Sequence, residues 1–187
     1  MSQEPTAPIS TVYWRRMDVS GQEACRMTRT PDGWRLDGAA VFREADNLQC
    51  MSYRIDCDAD WLTRQARVSG WVGARDLSLR IAHQDGVWTV NGTEVAGLHT
   101  ALDIDLGFTP STNTLAIRRS RLRPGQSVDV TAAWLDTETW TLKPLDQTYT
   151  FTARNRIHYA SPGFQTDLKT DSNGWVTDYP GIWSVVR

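Results

Sequence analysis

Alternation with a period of two runs through most of this chain and limits what it can fold into. Leu77-Ser78-Leu79-Arg80-Ile81 alternates cleanly, and an extended strand is the structure that sends successive side chains to opposite faces. Leu48 to Cys57 keeps the same rhythm less strictly. Val87-Trp88-Thr89-Val90 runs into Asn91-Gly92 and then Thr93-Glu94-Val95. Asn-Gly tolerates positive φ at both positions, which a two-residue hairpin turn demands. Asp32-Gly33, Asp85-Gly86 and Asn173-Gly174 repeat the device, each with a Trp directly after it or one residue later. Further strands are expected over 22–29, 34–43, 61–72, 98–106, 126–135, 146–153, 156–160, 164–169 and 175–179. No window carries the capped apolar stripe of a helix. The best candidate is a short turn or helix at 109–114, with Thr109 as cap and Pro110 at its first position. The expectation is an all-β chain with little helix, its many short antiparallel strands forming a curved sheet, a barrel or a roll. Such folds place ligand cavities at a mouth or in the interior.

A chain of 187 residues is best read as one domain, here 11–187, preceded by a loose polar tail at 1–10. At this size folding buries about 70% of the unfolded surface, enough for a core without disulfides or metals. The net charge of −2 with scattered arginines argues against a nucleic-acid protein, which needs a basic face. Lys143 and Lys169 are the only lysines among 20 basic residues. High genomic G+C content explains that bias, and so does a need for planar guanidinium forks. Nine tryptophans imply a core or pocket wall built from large rings. Cys25, Cys50 and Cys57 are odd in number and lack C-x-x-C spacing, which suits reduced thiols in a cytoplasmic protein. Met1 to Ser10 lacks the apolar segment of a signal peptide. No apolar run is long enough to span a membrane as a helix.

The segment Thr109-Pro110-Ser111-Thr112-Asn113-Thr114-Leu115-Ala116-Ile117-Arg118-Arg119 concentrates hydroxyls, an amide and two guanidinium groups. These recognise oxygen-rich groups such as sugars, carboxylates and phosphates, and are poorly suited to covalent chemistry. In Asp103-Ile104-Asp105-Leu106 both carboxylates share one strand face. They can meet Arg118 and Arg119 across the turn at 107–112, either as surface ion pairs worth about 0–1 kcal/mol or as holders of the forks for a ligand. Asp56, Asp58 and Asp60 resemble the start of a calcium loop, yet Trp61 and Arg67 stand where that loop needs Gly and Glu; a solvated turn or cap is the better reading. His83, His99 and His158 form no known metal or nucleophile motif. The Asn91-Gly92-Thr93 sequon is explained by the hairpin turn. The run from Trp175 to Trp183 is dense in rings around Pro180-Gly181, which suits a segment closing one end of the core. Asp178 and Tyr179 can also offer polar contacts to a pocket.

Two of these segments together resemble a known family. Thr109 to Arg119 resembles the TPxTNTLPIRR signature of a bacterial family named putative glycolipid-binding, and Asp178-Tyr179-Pro180-Gly181-Ile182-Trp183 resembles its DYPGLW ending. Tyr53-Arg54-Ile55-Asp56, Trp61 with Arg64, and Asp103 to Leu106 fall in the same order. The resemblance covers roughly Trp14 to Trp183; Ala116 departs from it where proline is expected. It implies a single-domain, many-stranded antiparallel spiral β-roll, similar to the lipoprotein carriers that hold acyl chains. The expected function is binding of a glycolipid or related amphiphile, with no cofactor or metal. Apolar strand faces and tryptophans would enclose the acyl part. Thr112, Asn113, Thr114, Arg118 and Arg119 would grip the head group, with Asp105 orienting an arginine, Trp61 and Tyr179 stacking on a sugar, and Arg54 and Asp178 adding contacts. Two alternatives remain: a hydrolase acting on a glycosylated or phosphorylated small molecule through paired carboxylates, and a module whose polar cluster is a buried network locking the roll.

Overall fold

The computed structural model describes residues 8–44 and 47–186, so all but the last few residues of the expected tail lie outside the described residues. Eight strands come first: β1 Ser10–Arg16, β2 Gly21–Thr30, β3 Gly33–Glu44, β4 Asn47–Cys57, β5 Thr63–Val72, β6 Arg75–Gln84, β7 Val87–Val90 and β8 Thr93–Val95. After a loop come β9 Asp103–Asp105, a 3₁₀ turn at Pro110–Thr112 and helix α1 Asn113–Ser120. The remainder is β10 Ser127–Asp136, β11 Thr141–Ala153, β12 Arg156–Ser161, β13 Phe164–Thr170, β14 Val176–Tyr179 and β15 Trp183–Val185.

All fifteen strands belong to one sheet in the order β8-β7-β6-β5-β4-β3-β2-β1-β15-β14-β13-β12-β11-β10-β9. Every neighbour pair is consecutive in sequence except β1 with β15, and every pair is antiparallel except β9 with β10. Asn91 and Gly92 both have positive φ, 51° and 83°, the turn their dipeptide favours. The sheet curls without closing: edge strand β9 comes back over β5, where Thr63 Oγ1 accepts from the Ile104 amide at 3.0 Å.

The interior of this open roll is packed. Trp14, Trp88 and Trp175 are fully buried, and their indole N–H groups donate to Val176 O, Ala101 O and Ser10 Oγ at 2.6, 3.0 and 2.9 Å. Leu98, Ala101, Ile104, Leu106, Phe108 and Leu115 join them in the same core. The stretch between β8 and α1 therefore acts as a plug. That is why the strand expected over 98–106 shrinks to three residues, and why the helix runs past 114: burial of Leu115, Ala116 and Ile117 outweighs the weak helix preference of the β-branched residues. β1 and β15, which join the two halves, were not among the expected strands.

Candidate functional site

The polar stretch of the plug opens as its sequence requires. Thr109 Oγ1 accepts from the Ser111 amide at 3.0 Å, capping the 3₁₀ turn whose first residue is Pro110. The side chains then turn inward. Thr109 Oγ1 reaches Glu23 Oε1 at 2.6 Å and Ser111 Oγ at 2.8 Å. The Tyr53 hydroxyl lies 2.5 Å from the same Glu23 oxygen and 2.7 Å from Ser111 Oγ. Tyr53 sits on β4 and Glu23 on β2, so the ring must cross β3, and it does so over Gly38, where a Cβ would meet the ring at 2.2 Å. Glu23 is 1% exposed, and Oε2 has no partner among the described residues. Burial pushes its carboxyl up to about 8, against weaker lowering by Thr109, Tyr53 and the charge of Arg16.

A second network surrounds the rest of the motif. Asp105 is half-buried and accepts from Gln147 Nε2 at 2.7 Å, the Gly107 amide at 2.9 Å and Thr112 Oγ1 at 3.4 Å. Asn113 donates to Pro110 O at 3.3 Å and its Oδ1 lies 3.0 Å from the Tyr149 hydroxyl. Thr114 is fully buried and donates to Gly174 O at 3.2 Å. Thr112, Asn113 and Thr114 thus face the protein, each with a partner there. The geometry corresponds to a buried network that locks the roll.

The two arginines part company. Successive helical residues are about 100° apart around the axis, so Arg118 and Arg119 leave α1 in different directions. Arg119 pairs with Asp103 through two bonds of 2.6 and 3.1 Å. The carboxylate holding an arginine is therefore Asp103 and not Asp105. Burial pushes the Asp103 carboxyl up, while Arg119 pulls it back. Arg118 instead lies over the stacked indoles of Trp34 and Trp61, 5.6 and 5.2 Å from their ring centres. Those rings are 4.5 Å apart and nearly parallel. Arg29 lies 4.6 Å over Trp34. Neither Arg29 nor Arg118 has a carboxylate partner among the described residues.

This corner opens into a pocket of about 520 Å³, lined also by Arg121, Phe151, Asn155, Thr170 and Asp171, whose Oδ1 accepts from the Asn173 and Trp175 amides. Trp61 has φ 72°, a strained value for a large side chain, imposed by a tight turn. There Asp58 Oδ1 accepts from the Asp60 and Leu62 amides, and Asp58 O from the Trp61 amide. Asp58 is thus a turn cap, and no cluster of metal-ligating residues occurs among the described residues. Gly174 makes room for Arg118, whose Cδ a Cβ there would meet at 3.0 Å. The Trp34 Nε1 atom is buried without a partner among the described residues.

Of the expected contacts, this corner unites Trp61 and Arg118. Trp61 is only 3% exposed, its faces shared with Trp34 and Arg118, so it serves as a platform and offers no open face to a sugar. Arg54 lies on the outer sheet face, bound to Asp37 at 2.6 Å. Asp178 is held by Lys169 at 2.6 Å. Tyr179 packs on Tyr159 and Phe164 at 6.3 and 6.0 Å. Glu23, Trp34 and Arg29 were not singled out in the sequence; the Asp-Gly turn directly before Trp34 was the one signal pointing at any of them.

The family described as "Putative glycolipid-binding" matches residues 11–185. The chain belongs to this family. A crystal structure of a DUF1089 family protein from Pseudomonas aeruginosa superposes with a TM-score of 0.71 at 24% identity, covering 98% of this chain and 96% of that one. At that identity the likeness shows the fold, which this family member shares. A comparison with curated proteins finds no match. No helix among the described residues is long and apolar enough to cross a membrane.

Proposed function

We propose that the protein binds a glycolipid or related amphiphile and recognises an anionic group on its head at the Trp34–Trp61 corner. One observation carries the reading: two guanidiniums with no carboxylate partner among the described residues lie over one stacked indole pair at the mouth of an open pocket. Stacking on indole fixes the plane of an arginine and leaves its N–H fork free for a phosphate or carboxylate. Since the roll interior is filled by the core, the acyl part belongs on the surface. Binding without catalysis is part of the reading. Its support is that Glu23, whose carboxyl burial pushes up to about 8, is sealed from solvent. A cytoplasmic setting is supported by the three unbridged thiols.

Native mass spectrometry of gently purified protein, followed by solvent extraction, tests the reading. A stoichiometric lipid with an anionic, sugar-bearing head is expected, and Arg29→Ala with Arg118→Ala should lose it while still unfolding cooperatively. A clean apo mass after incubation with total lipid extract would refute the reading.

A further inference from the structure

The outer face of the N-terminal half carries a pattern that folding alone does not explain. In the registers of β2 to β6, Arg26 stands opposite Asp37, Asp37 opposite Arg54, Arg54 opposite Arg67 and Arg67 opposite Arg80. Asp37 pairs with Arg54 at 2.6 Å and with Arg26 at 3.4 Å. Arg67 and Arg80 have no carboxylate partner among the described residues. Three arginines therefore stand side by side on adjacent strands about 4.8 Å apart, and like charges directly opposite weaken a sheet. A bound anion converts that repulsion into charge-assisted hydrogen bonds.

Beside the ladder the face sinks. Two residues along each strand lie Ala24, Ala39, Ser52 and Ser69, again opposite one another. Their short side chains floor a groove of about 890 Å³. Arg26, Arg54 and Arg67 line one side with Asp37 between Arg26 and Arg54, Tyr13, Val185 and Val186 line the end toward β15, and Asp171 also borders the groove. Tyr13 and Val186 are 40% and 37% exposed, apolar surface that a ligand would cover. From β15 to β5 the face spans five inter-strand steps, about 24 Å.

We infer that this groove binds a single-chain anionic amphiphile, its alkyl chain on the small-residue floor toward Tyr13 and Val186 and its anionic group on Arg67, which stands between Arg54 and Arg80. An apolar end joined to a cationic end selects such a molecule over a nucleic acid or a neutral lipid. Neither Arg29 nor Arg118 lines this groove, and Asp171 alone borders both it and the head-group corner, so the two sites carry separate arginines.

Calorimetric titration with dodecyl phosphate below its micellar concentration tests it. One-to-one binding is expected, weakened at least about tenfold in the Arg67→Ala, Arg80→Ala double variant. Ala39→Trp, which fills the floor, should abolish it, and Arg118→Ala should leave it unchanged. Should Ala39→Trp fail to fold, the double arginine variant carries the test. Undiminished binding in the arginine variant, equal affinity for inorganic phosphate, or binding only to anionic vesicles would each overturn the inference. Loss in Arg118→Ala with retention in Arg67→Ala, Arg80→Ala would overturn it in favour of the head-group corner.

Discussion

The molecule holds two polar clusters of opposite character. Around the plug, Thr109, Ser111, Thr112, Asn113 and Thr114 are buried, and every one of these side chains has a partner inside the protein. At the Trp34–Trp61 corner, Arg29 and Arg118 rest on indoles and open to solvent without a carboxylate partner among the described residues. Buried polar groups that satisfy one another specify a single packing, whereas charges left unneutralised at a pocket mouth remain available to a ligand. On the proposed reading the first cluster serves stability and the second binding, and mutation should separate them.

The largest expected effect concerns Glu23. Its folded carboxyl, pushed up to about 8 from 4.5, stays protonated over a range in which the unfolded chain has lost the proton. Folding then binds a proton, so stability falls as pH rises from 4.5 and levels off above 8. At about 1.4 kcal/mol per unit, the loss across that window reaches about 5 kcal/mol. Denaturant midpoints taken through the window should show it, and Glu23→Gln should remove most of the slope. A pH-independent difference between the two proteins would mean that the carboxyl is ionised in its cavity, and the plug would no longer be the neutral network described.

Next comes Gly38→Ala, whose Cβ would occupy the Tyr53 ring and should cost about 3 kcal/mol in urea unfolding. Thr114→Val keeps the shape and loses one buried hydrogen bond to Gly174 O, for about 1 kcal/mol. Arg118→Ala should cost about 0.5–1 kcal/mol of stability while weakening ligand binding. If Thr114→Val weakened binding as much as Arg118→Ala does, the contrast between the clusters would fail.

Much of the fold was legible because its rules are local. Alternation and Asn-Gly turns located the strands, and Thr109-Pro110 marked the start of the helical segment. What could not be read was register across distance. Nothing in the sequence joins Tyr53 to Glu23 over a glycine on the strand between them, or β1 to β15. The split of Arg118 from Arg119 followed from α1 continuing to Ser120; a turn ending at 114 kept both arginines on one side. The outer ladder had a local trace. Ala24-x-Arg26, Asp37-x-Ala39, Ser52-x-Arg54, Arg67-x-Ser69 and Ser78-x-Arg80 each place a small and a charged residue two apart, and their order flips from strand to strand. Antiparallel neighbours require that flip if like residues are to line up in rows.

One pairing described earlier reaches beyond the native chain. Since β1–β15 is the one strand pairing among the described residues that does not join sequence neighbours, the sheet is, apart from its parallel β9–β10 pair, a meander cut open in its middle. A circular permutant with β15 linked to β1 and new ends placed between β8 and β9 would have every strand beside its neighbour in sequence. Its mean sequence separation of contacts would drop, and with it the entropy spent on closing the longest loop. Such a permutant should reach the same native sheet faster than the natural connectivity does.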